Sequence, residues 1–238
     1  MQVREIRNEP SVRTVMYTDH VIGVNEHLRW LNQLKQDETQ IVFAIVEGGK
    51  VLGAASVVNI DKLHEKADWG FYLTAQERGG LGSAVELALV DFAFGELGLS
   101  KLNCEVLEGN DRMLQLQRKF HFEEEGFRKS NIIKDGKRIG VHFLGLQKAV
   151  WLENRAELID RYRDSFAPFD VTVEWTGGRP GERSPIDQIE AARARNNLNW
   201  MSILRIALER SPETSKQIVS EIKKIDQEIS ALTQKLVE

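Results

Sequence analysis

Residues Asp68 to Phe94 read DWGFYLTAQERGGLGSAVELALVDFAF. Trp69, Phe71 and Leu73 alternate with Asp68, Gly70 and Tyr72, the two-residue period of a β-strand. Further on, Val85, Leu87, Ala88, Leu89, Phe92 and Ala93 cover a broad helical face. Between the two lies a glycine-rich turn, Glu77-Arg78-Gly79-Gly80-Leu81-Gly82-Ser83-Ala84. Glycines at a strand-to-helix turn let backbone N–H groups point at an anion, and the helix dipole adds favourable potential there. The expectation is a phosphate-binding helix start. A Walker loop is excluded, because no Lys-Ser or Lys-Thr pair follows the glycines. The glycine spacing disfavours a dinucleotide fold, and so does an upstream strand that alternates instead of being apolar throughout.

The flanking sequence supplies a mixed α/β (α+β) pattern over 1–150. Helical stretches are predicted near 1–16 and 24–36, the second with Leu28, Leu31 and Leu34 on one face and Asn25 as its cap. Ile41–Val46 and Val51–Val58 flank Glu47-Gly48-Gly49-Lys50, a hairpin signal. Beyond Phe94 come a strand at Leu102–Leu107, a helix at Asp111–Phe120, and a hairpin that turns at Asp135-Gly136 and ends in Gly140–Gln147. The whole reads as a mainly antiparallel sheet flanked by helices. Residues 151–183 read as a charged helix and a Gly/Pro-containing joint that admits a short strand at Val171–Trp175. Residues 184–238 read as a helical hairpin, each arm opening Ser-Pro at Ser184 and Ser211. In its second arm Ile218, Ile222, Ile225, Ile229, Leu232 and Leu236 form a coiled-coil seam. Self-association or docking to a protein partner is the expected role of this tail, with packing on the first domain as the alternative.

Composition narrows the function classes. A net charge of −4 and a pI near 5.8 argue against general nucleic-acid or anionic-membrane binding. One cysteine, Cys104, rules out an intramolecular disulfide and suits a reducing compartment. No apolar run approaches the roughly 20 residues of a membrane helix, and no signal-peptide pattern opens the chain. A cytoplasmic location is expected. His20, His27, His64, His121 and His142 lack metal-ligand spacing, so no metal is expected.

The glycine turn resembles the acyl-CoA pyrophosphate loop of the GNAT N-acetyltransferase superfamily, (Arg/Gln)-x-x-Gly-x-(Gly/Ala), in the register Glu77-x-x-Gly80-x-Gly82 with Arg78 displaced by one position. The order hairpin, strand, loop-helix, strand, helix, hairpin fits the same superfamily. Because the chain starts almost at the first helix, the expectation is that the usual first strand is missing or that its place is taken by something else. A more specific resemblance runs over about 4–147. Arg7-Asn8-Glu9-Pro10-x-x-Arg13-x-x-Met16-Tyr17, Glu26-His27-Leu28-x-x-Leu31, Trp69-Gly70-Phe71-Tyr72 and Leu102-x-x-Glu105-Val106-x-x-x-Asn110 are similar to the nucleotide-sugar N-acetyltransferases of pseudaminic acid synthesis. Those enzymes acetylate UDP-4-amino-4,6-dideoxy-N-acetyl-β-L-altrosamine on the route to flagellin glycosylation. The Arg-Asn-x-Pro opening is shared with ribosomal-protein alanine acetyltransferases.

The resemblance implies acetyl-CoA as cosubstrate. Transfer to an amine needs a neutral amine, a stabilised oxyanion and a protonated leaving thiolate. The implied cofactor contacts are the Phe71-Tyr72-Leu73 strand, the turn residues Arg78, Gly79, Gly80, Leu81, Gly82, Ser83 and Ala84, and Asn110. Glu105, on the strand face opposite Cys104, is the candidate base, since a half-buried carboxylate there suits proton removal near neutrality. Ser56 matches a serine near the acceptor amine. For a UDP-amino sugar, Arg7 suits the diphosphate and Met16, Tyr17 and Trp30 suit the deoxysugar and uracil; His27 and Asp68 are further candidates. Gln117 stands in the slot where these enzymes often carry a tyrosine acid, and glutamine cannot supply a proton at neutral pH. The acid is then a water, Tyr72, His121 or nothing specific. Two alternatives remain open: acetylation of a protein N-terminus or another amine, and a degenerate acetyltransferase domain that binds or scaffolds through its helical tail.

Overall fold

The computed structural model describes residues 2–76 and 80–175. Glu77, Arg78 and Gly79, and the two helices expected after Ser184 and Ser211, lie outside them. Residues Met1–Trp175 form one compact unit. Its elements run α1 (Gln2–Arg7), α2 (Pro10–Arg13), α3 (Val24–Leu34), β1 (Ile41–Glu47), β2 (Lys50–Asp61), β3 (Lys66–Leu73), α4 (Leu81–Gly95), β4 (Lys101–Leu107), α5 (Asp111–Lys119), β5 (Glu123–Lys134), β6 (Lys137–Gln147), α6 (Lys148–Arg161) and α7 (Arg163–Phe166). The sheet order is β1-β2-β3-β4-β6-β5. Only β3 and β4 are parallel. This is the mixed, mostly antiparallel sheet flanked by helices that the sequence pattern predicts.

The sheet opens at the β3–β4 pair. Its ladder spans only Lys66↔Lys101, Ala67↔Leu102 and Asp68↔Asn103. Beyond that, β3 stays paired with β2 as far as Leu73, while β4 stays paired with β6 as far as Leu107. The two strands part, and the edge of β3 from Trp69 to Leu73 has no ladder partner on the β4 side. α4 packs over one sheet face, burying Val85, Leu89, Val90 and Phe92. It approaches closely at its start, where a Cβ on Gly82 would sit 3.4 Å from the Phe71 ring. α6 locks onto α4: the Trp151 indole N–H donates to Asp91 at 2.9 Å, and Arg155 grips both oxygens of that carboxylate at 2.7 Å. The β1–β2 and β5–β6 hairpins turn on paired positive-φ residues, Gly48-Gly49 and Asp135-Gly136, the twist that two-residue connections require.

Three expectations need correction. The single helix near 1–16 is two, because Pro10 has no N–H to continue α1 and holds Glu9 extended (φ −58°, ψ 137°). α3 is capped at Gly23 and not at Asn25; the Glu26 carboxylate accepts the Gly23 N–H at 3.3 Å. Val171–Trp175 is not a strand and makes no ladder. Its side chains instead pack into the core, Trp175 meeting Phe92 edge-on at 5.3 Å. Among the described residues no strand precedes α1, and β1 is a sheet edge.

Candidate active site

Strand register decides which side chains meet. Ala54 lies opposite Tyr72, Ser56 opposite Gly70, and Asp68 opposite Asn103. With a two-residue period, Ser56, Asp68, Tyr72 and Glu105 therefore share one sheet face, and Trp69, Phe71 and Cys104 the other. The first face lies beneath the N-terminal helices. Between them is a cavity of about 360 Å³ lined by Arg7, His27, Trp30, Ser56 and Tyr72. A second cavity, about 300 Å³, opens where β3 and β4 part; Arg7, Ser56 and Tyr72 line it too, joined by Met16, Glu105 and Gln117. A third, about 270 Å³, runs along Phe71–Ala75 past Gly80, Gly82, Asn110 and Met113. Tyr72 lines all three. The unladdered β3 edge and the glycines of α4 thus border one end of the run, and the aromatic and basic groups of α1 and α3 the other.

The individual groups are held as follows. Arg7 donates from Nη2 to Thr18 Oγ1 (2.6 Å) and O (3.2 Å), while its buried Nη1 has no hydrogen-bond partner. Burial holds its guanidinium below the usual arginine range. Trp30 stacks on His27 at 5.4 Å, and burial depresses the His27 imidazole. Burial pushes the Tyr72 phenol up to about 12, with Arg7 pulling the other way. Ser56 Oγ donates to the Gly70 carbonyl at 3.4 Å. Asn110 caps α5, its Oδ1 accepting the Met113 N–H at 3.4 Å, and lines two of the cavities.

Glu105 is exposed, which corrects the expectation of a half-buried carboxylate. Its partner comes from far along the chain: the Tyr17 hydroxyl donates to Glu105 Oε2. Burial and that carboxylate together push the Tyr17 phenol well above its ordinary value. Gln117 is buried, accepting from the Cys104 thiol and donating to Met113 Sδ, both at 3.3 Å. Burial keeps that thiol protonated.

Other predicted site residues are placed elsewhere. Asp68 accepts from Asn59 and Asn103 (2.7 and 3.1 Å) and lines none of the three cavities. Neither do Leu81, Ser83 and Ala84; Ala84 is buried in the α4 core, and Ser83 Oγ accepts from Lys119 at 3.4 Å. His121 also stays outside, in a left-handed turn (φ 63°) after α5. Arg78 and Gly79 are beyond the described residues.

Three residues with a part in this region escape sequence reading. Glu9 accepts from the Thr74 hydroxyl (2.7 Å) and the Ala75 N–H (2.8 Å), tying the N-terminal helices to the end of β3. Lys134, buried, donates to the carbonyls of Arg13 (2.8 Å) and Met16 (2.6 Å). Glu86 is fully buried in α4 with both oxygens unpartnered, and burial pushes its carboxyl far up. Glu9 stands inside the quoted Arg7-Asn8-Glu9-Pro10 run without a role of its own there, and Lys134 and Glu86 are charged residues that no local signal marks. Among the described residues, no group of three or more His, Cys, Asp or Glu side chains is placed to hold a metal ion. Nor is any described helix long and apolar enough to cross a membrane.

Comparison with known proteins agrees with this architecture. An acetyltransferase (GNAT) domain model matches residues 1–123. The acetyltransferase PseH of Campylobacter jejuni is 28% identical over 116 residues, 49% of this chain and 71% of that protein. The crystal structure of spermidine N-acetyltransferase from Vibrio cholerae in complex with CoA and spermine superposes with a TM-score of 0.60 at 17% identity, covering 63% of this chain and 90% of that one. The family model spans more than half of the chain and the sheet has the matching fold: this protein belongs to the GNAT acetyltransferase family and is an N-acetyltransferase.

Proposed function

We propose that this enzyme transfers the acetyl group of acetyl-CoA to the amino group of a UDP-4-amino-4,6-dideoxy sugar. The observation that carries the reading is the sharing of Arg7, Ser56 and Tyr72 between the cavity under the N-terminal helices and the one at the β3–β4 divergence. A two-part acceptor, an anionic nucleotide end and an amine end, suits two spaces that share these walls. The similarity to PseH supports the sugar class.

In this reading the Phe71–Leu73 edge holds the pantetheine arm through its unladdered backbone groups. The helix start at Gly80 to Ala84, with Arg78 and Gly79, takes the pyrophosphate, and Asn110 borders the arm. Arg7 meets the acceptor diphosphate with its unpartnered Nη1. Trp30, backed by His27, and Met16 pack the base and the deoxysugar. Ser56 orients the amine, and Glu105 removes its proton. The 184–238 tail serves self-association or a partner protein.

The test is incubation of the full chain with acetyl-CoA and UDP-4-amino-4,6-dideoxy-N-acetyl-β-L-altrosamine, read by mass spectrometry. One acetyl group added at the 4-amino position is expected. Glu105→Gln should lower kcat about 100-fold or more while acetyl-CoA affinity holds. Failure of the sugar to react where a peptide N-terminus does would replace the acceptor.

A further inference from the structure

Resting on the amino-sugar reading of this site, we propose that Gly70 sets acceptor specificity: the space left by its missing side chain is where the amine-bearing ring carbon of the acceptor lies. Glycine weakens a strand interior, so a glycine there calls for a bulge, a bend or a close approach. Among the described residues the strands hold Gly53, Gly70, Gly126, Gly140 and Gly145. The protein's own packing accounts for three of them. A Cβ would come within 2.0 Å of the Tyr72 carbonyl oxygen at Gly53, 2.2 Å of the Phe127 ring at Gly140 and 2.5 Å of the Glu125 carboxylate at Gly145. Gly126 sits at a shift of register between β5 and β6.

Gly70 has none of these reasons. It pairs with Ser56 in a regular stretch of ladder, and its φ is not positive. A Cβ built on it would meet nothing within 4 Å. Strand alternation aims that Cβ to the face of Ser56 and Tyr72, and Gly70 lines the cavity at the β3–β4 divergence with both of them and Glu105. A strand glycine that neither backbone nor packing requires, open to a cavity, marks the close approach of a ligand.

The register tells which part of the ligand approaches. Ser56 is level with Gly70 on one side. On the other, the β3–β4 ladder ends with Asp68 opposite Asn103, and the same offset carried two residues on brings Gly70 level with Glu105. Neighbouring strands lie about 4.8 Å apart, so a group touched by side chains of both β2 and β4 lies above β3. An amine oriented by Ser56 and deprotonated by Glu105 therefore sits over Gly70. In a 4-amino sugar that nitrogen is borne by a ring carbon with carbon neighbours on both sides, broader than the CH2 of an unbranched amine. The bare backbone at Gly70 makes room for that carbon. A ring lifted off the strand by a Cβ would carry its amine away from both Ser56 and Glu105.

The experiment compares the full chain with its Gly70→Ala and Gly70→Val variants. Turnover of acetyl-CoA is followed with the UDP-4-amino sugar, with alaninamide and with glycinamide, whose amine stands on a CH2. Acetyl-CoA affinity is measured by calorimetry and stability by urea unfolding. Gly70→Ala should lower kcat/KM for the sugar about tenfold or more, the scale of one methyl group in a fitted pocket, and Gly70→Val should lower it further. The ratio of kcat/KM for the sugar to that for glycinamide should fall about fivefold or more in each variant, with Kd for acetyl-CoA within about twofold of the parent. The urea midpoint of Gly70→Ala should equal or exceed that of the parent, since alanine loses less backbone freedom on folding and meets no atom here. Gly70→Ala with kcat/KM for the sugar within about threefold of the parent overturns the proposal, as does an equal loss with all acceptors. A weakened acetyl-CoA affinity with the sugar unaffected gives the space to the acyl group and overturns it too. A parent that acetylates alaninamide but not the sugar overturns the amino-sugar reading. Alaninamide also bears its amine on a branched carbon, so its ratio to glycinamide in the same variants then decides the role of Gly70. A parent that acetylates none of the three overturns both.

Discussion

At the level of single residues, Arg7 and Tyr72 stand where the acceptor-side cavity meets the β3–β4 divergence, and they influence one another: the guanidinium lowers the proton affinity of a phenol that burial raises. Arg7 already holds Thr18, yet one of its terminal nitrogens is buried with nothing to bind. A buried donor left unsatisfied costs free energy unless a ligand completes it. Arg7→Ala should therefore raise KM for the UDP-amino sugar about 10- to 100-fold while KM for acetyl-CoA stays nearly constant, checked by steady-state kinetics with each substrate varied in turn. Equal changes in both constants would point to a general collapse of α1 instead.

Among the elements, the close approach of β2 to β3 is the tightest constraint near the site. Gly53 pairs with Leu73, and a Cβ there would come within 2.0 Å of the Tyr72 carbonyl oxygen. That atom is backbone, so relief requires moving β3 at the residue common to all three cavities. Gly53→Ala should cost about 2 kcal/mol or more in urea unfolding and should also lower kcat, because Tyr72 and the unladdered edge beside it shift together. The strands, the helices after β1 and both hairpin turns are legible from sequence, since their periods and turn residues are local properties. The N-terminal helix is misread across Pro10 because the apolar pattern continues through it, even though the proline has no N–H to carry the helix on.

For the whole molecule, the fully buried Glu86 makes stability depend on pH. It faces Gln117, Lys119 and Cys104, and only Lys119 favours its ionised form by its charge. Its folded-state carboxyl titrates above the unfolded one, so the folded chain holds the extra proton. The contribution to stability is fully present below the unfolded carboxylate value, near 4.5, and is lost as pH rises through the folded one. Glu86→Gln keeps the shape and removes the titration. Its melting temperature should exceed that of the parent, by a margin that widens as pH rises; thermal melts from pH 5 to 9 would show it. A constant margin would mean that the parent carboxyl is not titrating differently on folding.

The order of residues is enough to specify the fold class and the family, because these follow from period, turn chemistry and motifs confined to short stretches of chain. It also places Ser56, Tyr72 and Glu105 in strands whose alternation puts them on one face once the register is known. Which distant groups meet across that face is settled by tertiary packing alone. Tyr17 on Glu105, Lys134 under the Tyr17 turn, Glu9 on Thr74 and Glu86 deep in α4 are pairings or burials with no local signature. Asp68 and Ser83 show the converse: strand and helix position suited them to a site, but the neighbours the sheet brought them were Asn103 and Lys119. A hydrogen bond depends on where two side chains end up, and between segments far apart in the chain that is set by strand register and helix packing together.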